Sequence, residues 1–511
     1  MYDRAERTNP IPVNNRPIPH PISPHRIGLW LACLSLLGSG CRETAYSRGV
    51  DLPQTDIEPQ TITLDIPPED KGRGSLVAVD VNNDGNRDII VTKPGTIAAY
   101  TTTGQQLWTK QTDIQLTHQS EGQGLPGRSA PGVQAADVDG DNRTEVLFLT
   151  QAGNLEILQG SDGQTKKSIP LASPPETNRW EHLVVANFRG EGDRDLLVQT
   201  TRATGYRTGR YLAAYTFEEL LSSPTPNPLW MRDDFIANAH NGARVADLDG
   251  DGKEEVLGGS VVSPEGEILL ELPLKGHVDA LTVADVRPEL PGLEVVALEE
   301  GGGRRPFGGG NRLATLANRL YERVFPDGNR IFLYNRDRLL WENHYKHQEP
   351  QNTAVGDFDP DRPGLEIWCR SRDKTHQKPF IFDSRGQLIA GYKMKQVAPK
   401  NWTTSGVETI FTIDWTGEAQ QLAAAKERHT AGDVAIFNPL SGEFLLRFPG
   451  QTDRLYVADV VGDWREEAIV LSGDRLQIYQ NLETNPNPDR PSLWERPEYE
   501  RSKMTWNYYS P

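Results

Sequence analysis

Cysteine is almost missing from this chain, with three in 511 residues. Loss of the apolar N-terminal stretch as an export signal would leave only Cys41 and Cys369, which excludes a disulfide framework and a cysteine-rich zinc module. Basic residues are also short, 54 Lys and Arg against 71 Asp and Glu, for a formal net charge of −17. A phosphate backbone needs a basic face, so this balance argues against nucleic acid as a partner. Long apolar runs are lacking too. The run "IGLWLACLSLLGSG" before Cys41 is too short to span a bilayer and suits a signal-peptide core. The nucleophile pattern G-x-S-x-G is missing, and "GGGRRPFGGG" has no Lys-Ser/Thr to make it a phosphate loop.

What is plentiful is glycine (47), proline (37) and acid. With a mean hydropathy of −0.57, this composition suits many short strands joined by turns. One pattern recurs eight times: small or apolar residues, an acidic bend, then a β-rich apolar run, as in "VAVDVNNDGNRDIIV" from Val77 and "ARVADLDGDGKEEVLGG" from Ala243. The first acidic or Asn positions are 80, 137, 187, 247, 285, 357, 414 and 459, a step of about 54 residues, close to one four-stranded propeller blade. Stretches such as "TIAAYTTTGQQLW" and "GNLEILQGSDGQTKK" between them read as β-hairpins whose glycines supply positive φ. The expected fold is all-β, an eight-bladed β-propeller over residues 61–480. A signal segment at 1–40 and a linker at 41–60 precede it, and an aromatic tail at 481–511 follows. A Gly-rich and helical insertion at 301–327 interrupts the ring. There Leu313, Leu316, Ala317, Leu320 and Val324 fall at helical spacing, giving an amphipathic helix that is either a lid or a decoration packed on a blade edge.

In "DLDGDGKEEV" the alternating Asp247, Asp249 and Asp251, with Gly252 sixth and Glu255 ninth, place several oxygens around one point in a sharp bend. Without a cation these carboxylates would repel, and hard oxygen donors favour Ca²⁺. Comparable sets are Asp80, Asn82, Asp84 and Asp88, then Asp137, Asp139, Asp141 and Glu145, and a longer, proline-stiffened bend with Asp357, Asp359 and Asp361. Ca²⁺ is expected at these sets as a structural clip. The bends at Asn187 and Asp414 have lost most of the pattern and read as metal-free turns. His344 and His347 read as surface residues.

These bends resemble FG-GAP or integrin-type repeats. A sharper resemblance is carried by "HNGARVADLDGDGKEEVLGGSVVSPEGE", "GHVDALTVADVRPELPGLEVV", "VGDFDPDRPGLEIW" and "ADVVGDWREEAIV", which in that order are similar to the rhamnogalacturonan lyases of polysaccharide lyase family eleven. That resemblance implies a secreted, calcium-containing eight-bladed propeller that cleaves a pectic backbone by β-elimination. Such a site needs a proton acceptor beside a positive group. His277 matches a family His, but Thr282 and Asn241 stand at other His positions, Asn352 at a basic one, and Gln451 in place of a Lys. The remaining candidates for base or carboxylate contact are His277, His240 and Lys275.

Two functions stay open: a binding protein with degraded catalytic residues, holding an acidic polysaccharide or a protein ligand, and an active lyase on a uronic-acid polymer. "LLGSGC" resembles a lipobox, so the expected location is the cell envelope through a lipid on Cys41, or secretion. That anchor would be the sole membrane contact. A monomer is expected. The tail aromatics Trp494, Tyr499, Trp506, Tyr508 and Tyr509 either stack on sugar rings or strap the outer blades.

Overall fold

A computed structural model describes residues 49–66, 74–116, 130–201, 210–237, 242–301, 313–314, 316–317, 320, 329–344, 349–372, 377–402, 407, 409–426, 432–450 and 452–506. The signal segment, His240, Asn241, Val324, His347, Gln451, Tyr508 and Tyr509 lie outside them. Each short β-branched or alanine-rich run becomes a strand and is stopped by its glycine-containing bend. Among the described residues, thirty-two strands form eight four-stranded antiparallel sheets, as expected. Blade 1 holds Leu76–Val79, Asp88–Lys93, Thr96–Thr101 and Gln106–Gln111, with its strands side by side in chain order. Blades 2 to 7 repeat that plan, opening at Val133, His182, Arg244, His277, Glu349 and Thr409.

Blade 8 has three strands of its own, Arg454–Ala458, Glu467–Ser472 and Arg475–Tyr479. Its fourth is β1 (Gln60–Thr63) from the other end of the chain, with Gln60 opposite Ile478 and Thr63 opposite Arg475. The ring therefore closes on itself and leaves no bare sheet edge at the seam. The expected linker is not free where it is described. Val50 donates to Ala398 and accepts from Lys400, and Thr55 donates to Arg447, so this stretch lies along blades 6 and 7.

The apolar core sits between neighbouring blades: Val77, Val79 and Ile90 of blade 1 pack with Val133, Val146 and Phe148 of blade 2. Each such side chain contributes roughly 1.5–3 kcal/mol when fully buried. The outer seam is latched by tryptophan. Trp108 Nε1 donates to the Gly160 carbonyl at 2.6 Å, Trp230 to Pro264 at 2.8 Å and Trp341 to Ser384 at 3.0 Å, each reaching the hairpin of the next blade. Those hairpins carry Gly163, Gly266 and Gly386, at φ of 69°, 90° and 79°. A Cβ on any of them would strike the indole, so glycine serves both the turn and the latch.

The acidic bends all join the first to the second strand of a blade and share one face. They are clasped around the ring: Thr144 Oγ1 donates to the Asp80 carbonyl, Glu254 Oε2 accepts from Asn187 N and Glu466 Oε2 from Asp414 N. In "KEEV" and "REEA" the first Glu thus holds the preceding blade, and the second turns into its own bend.

The tail packs against the propeller, as one of its two expectations had it, but at the centre and not on the outer blades. Helix Pro497–Thr505 packs against the first strands of blades 1, 2, 4 and 5, which places it on the propeller axis. Trp506 is 1% exposed, donates to the Leu76 carbonyl at 3.0 Å and packs on Tyr456 and Phe411. Arg501 bridges Glu254 at 2.7 Å and Asp193 at 2.5 Å, and Lys503 meets Glu466 at 2.9 Å. Buried Tyr499 and Trp506 therefore offer no sugar platform. Of the two expectations for the insertion, a leucine stripe packed on a blade edge is not seen among its described residues. Leu313, Leu316 and Leu320 are helical but exposed, while Ala314 is buried, so the leucine stripe does not cover a blade.

Candidate functional site

Seven bends share a carboxylate at the first residue of the second strand. Asp88, Glu145, Asp195, Glu255, Glu294, Glu366 and Glu467 are all buried, and each accepts the backbone N–H of Val81, Val138, Phe188, Leu248, Arg287, Phe358 or Val460 in turn, at 2.8–3.2 Å. That bond serves one oxygen. The other points into the bend, where a buried charge needs a counter-charge. In blades 1, 5 and 6 it has no hydrogen-bond partner: Asp88 Oδ1, Glu294 Oε1 and Glu366 Oε1, joined by Asp357 Oδ1 and Asp459 Oδ2. Burial pushes Asp88 up to about 6, Asp459 to about 6 and Glu366 to about 7. Buried carboxylate oxygens without a hydrogen-bond partner fit a hard cation, whose charge would favour their ionised form.

The remaining ligand candidates are partly committed to the backbone. Asp80 accepts from Asp84 N and Gly85 N, Asn82 from Asp84 N, Asp84 from Asn86 N, Asp141 from Arg143 N and Asp251 from Lys253 N. Asp137 accepts from Gly140 and Asn142, and Asp247 from Gly250 and Gly252. Burial would raise Asp137, but those N–H groups and the Arg194 guanidinium outweigh it and hold its carboxyl low. Asp139 pairs with Lys166 and Asp249 with Arg336. Asp359 pairs with Arg362, and Asp361 is exposed. At the expected metal-free bends, Asn187 donates to the Gly252 carbonyl and Asp414 accepts from Gln421.

On the opposite face, where first strands begin and second strands end, a different cluster forms. His277 opens the first strand of blade 5, His277–Ala284, and lies opposite Glu300 at the end of Glu294–Glu300. The register slips between Val278 and Ala280, so Asp279 occupies a bulge, which re-aims its side chain. His277 Nε2 lies 3.0 Å from Asp279 Oδ1 and 3.7 Å from Glu300 Oε2. One donor atom from each of the three lies within 4.8 Å of the others, a geometry that could hold a metal ion. Glu299 does not compete, because it is taken by the Arg330 guanidinium at 2.6 Å and by the N–H groups of Lys275 and Gly276.

Blade 6 repeats the irregularity: its register slips between Pro350 and Thr353. Gln351 there donates to Glu300 Oε2 at 3.4 Å and accepts from Arg370. Lys275 is exposed one residue beyond Gly276, Asn352 is fully buried, and His344 is exposed at a strand end. Of the three residues named from the sequence, His277 is at this cluster, Lys275 is close by in the chain and His240 is not described. Sequence reasoning missed Asp279 and Glu300. The spelling "GHVDAL" puts an Asp two residues from a His, but a regular strand offers no sign of the bulge that joins them.

Fold and bends define the class: an eight-bladed propeller in which residues 80–148 and 137–198 match the FG-GAP-like repeat family model. Within that class the chain is homologous to rhamnogalacturonan lyases. It is 25% identical to the rhamnogalacturonan endolyase YesW of Bacillus subtilis strain 168, over 67% of this chain and 56% of that protein. It is 26% identical to the exolyase YesX of the same strain, over 67% and 59%. The match thus spans less than two thirds of either relative. The crystal structure of YesX superposes with a TM-score of 0.63 at 19% identity, covering 89% of this chain and 81% of that one.

Proposed function

We propose that this protein recognises an acidic polysaccharide of the rhamnogalacturonan class on the face opposite its acidic bends. The observation that carries this reading is the convergence of His277, Asp279 and Glu300 at one point, on a fold homologous to lyases of that polymer. One nitrogen and two carboxylate oxygens suit a divalent ion, and a bound ion would in turn ligate a uronate carboxylate. Glu300 is steadied by Gln351, and the exposed Lys275 adds positive charge beside the ligand path. Calcium in the bends of blades 1 and 6 would act as a structural clip, where orphaned carboxylate oxygens fit it. Export, with Cys41 as a lipid anchor, rests on the N-terminal sequence alone.

Binding without turnover is the primary reading. His277 is engaged by two carboxylates, and Thr282 and Asn352 cannot take a proton at neutral pH. Active β-elimination is the second reading. It is favoured by Lys275, which would have to act as the base or offset carboxylate charge. The two are separated by incubating the protein with rhamnogalacturonan and calcium. An ultraviolet rise from unsaturated uronate means elimination, and calorimetric binding with no such rise means recognition alone. Neither signal on a panel of uronic-acid polymers would remove both.

A further inference from the structure

We infer that Lys166 in blade 2 and Arg336 at blade 4 occupy the cation position of their acidic bends. The two bends spelled most like calcium loops would then take no divalent ion, and of the four bends expected to hold calcium only those with an orphaned strand-opening carboxylate oxygen, in blades 1 and 6, would take it.

Lys166 reaches in from the outer strand Thr165–Pro170 of its own blade. Its Nζ lies 2.5 Å from Asp139 Oδ2, 2.8 Å from Glu145 Oε1 and 3.5 Å from Asp141 Oδ2. Three N–H donors thus meet three carboxylates, including the inward oxygen of the strand-opening Glu. Arg194, from the bend of blade 3, adds a contact at 3.3 Å to Asp137. At blade 4 the cation arrives by another route. Arg336 lies in the hairpin between Arg330–Tyr334 and Leu339–His344 of blade 5, and its Nε is 2.9 Å from Glu255 Oε1 and 3.1 Å from Asp249 Oδ2. Blade 3 follows suit within its own bend, Arg189 Nε lying 2.8 Å from Asp195 Oδ1.

The inward oxygen therefore sorts the four bends expected to hold calcium. Where a chain-borne cation reaches it, it is satisfied. In blades 1 and 6 no basic side chain among the described residues pairs with Asp88 or Glu366, and their second oxygens stand orphaned in fully buried carboxylates. A Lys or Arg seated between the same oxygens excludes a calcium ion by volume and by charge. It also makes these blades indifferent to the supply of metal.

The inference rests on the calcium reading only for blades 1 and 6, and the experiment keeps the two apart. Bound calcium per full-length chain is measured by atomic emission after dialysis against buffered calcium. Melting is followed in calcium and in chelator. Lys166→Met and Arg336→Met should each gain one calcium per chain over wild type, melt lower than wild type in chelator, and recover when calcium is added. Lys166→Arg should keep the wild-type count. Should Lys166→Met fail to fold, Asp139→Asn replaces it. That variant should melt lower by the same amount with and without calcium, at an unchanged ion count. A calcium lost in Asp139→Asn, or an unchanged count and chelator melting in both Met variants, overturns the inference. A wild type that binds no calcium refutes the clip in blades 1 and 6, while the gain in Lys166→Met still decides the lysine's role.

Discussion

His182 offers a quantitative test of how dry the ring interior is on the face opposite the acidic bends. It opens the first strand of blade 3, is 8% exposed, and its Nε2 lies 2.9 Å from the Ala243 carbonyl. Burial, with the Arg244 charge nearby, pulls the imidazole from 6.5 down to about 4 despite that hydrogen bond. The unfolded chain therefore takes up a proton that the folded one refuses, and stability falls as pH drops from 6.5 towards 4. Above 6.5 both states are neutral and the residue adds no pH dependence. Integrated between about pH 7 and about pH 4.5, the loss is about 2 kcal/mol. His182→Gln keeps a donor for the Ala243 carbonyl and removes the titration. In urea unfolding at the two pH values, wild type should lose about 2 kcal/mol more than the variant. Equal losses would mean that the native imidazole is already protonated or wet, and would refute the argument from burial.

Other perturbations address the bends, the axis and the cation cluster. Asp88→Asn should remove the blade 1 share of the calcium-dependent gain in melting temperature, leaving that of blade 6, and should matter little in chelator. Trp506→Ala deletes an indole packed on Tyr456 and Phe411 and should cost about 3–5 kcal/mol in urea unfolding. Arg501→Met leaves Glu254 and Asp193 without their shared partner. It should destabilise by about 3 kcal/mol or more, with recovery on adding Glu254→Gln. His277→Ala should weaken uptake of a divalent ion at the opposite face without changing the calcium count of the bends.

Most of the ring was legible because a repeat exposes itself. A bend that begins with Asp or Asn and runs into an apolar strand needs no partner to be recognised, and eight of them spell eight blades. The closing strand was legible only as a first strand near Thr61, since nothing in "QTIT" names Arg475–Tyr479 as its neighbour. Contacts between distant positions were not readable. "DGKEEV" reads as one cluster of ligands, yet Glu254 serves Asn187 and Arg501 while Glu255 turns inward to Leu248. Lys166 and Arg336 lie 21 and 81 residues from the glutamates they meet, beyond the reach of spacing rules. The tail misled because Tyr499 and Trp506 spell a sugar platform and a channel plug equally well. The site was half visible: His277 stood out, but only the bulge at Asp279 brings the second carboxylate to it.

The most direct measurement is calorimetric titration of a rhamnogalacturonan oligosaccharide into the full-length protein, with and without calcium, for wild type and for Asp279→Asn. The account predicts saturable binding to wild type that requires calcium and a loss of at least tenfold in affinity for Asp279→Asn. Equal affinity in chelator, or an Asp279→Asn protein that binds as wild type does, would contradict it.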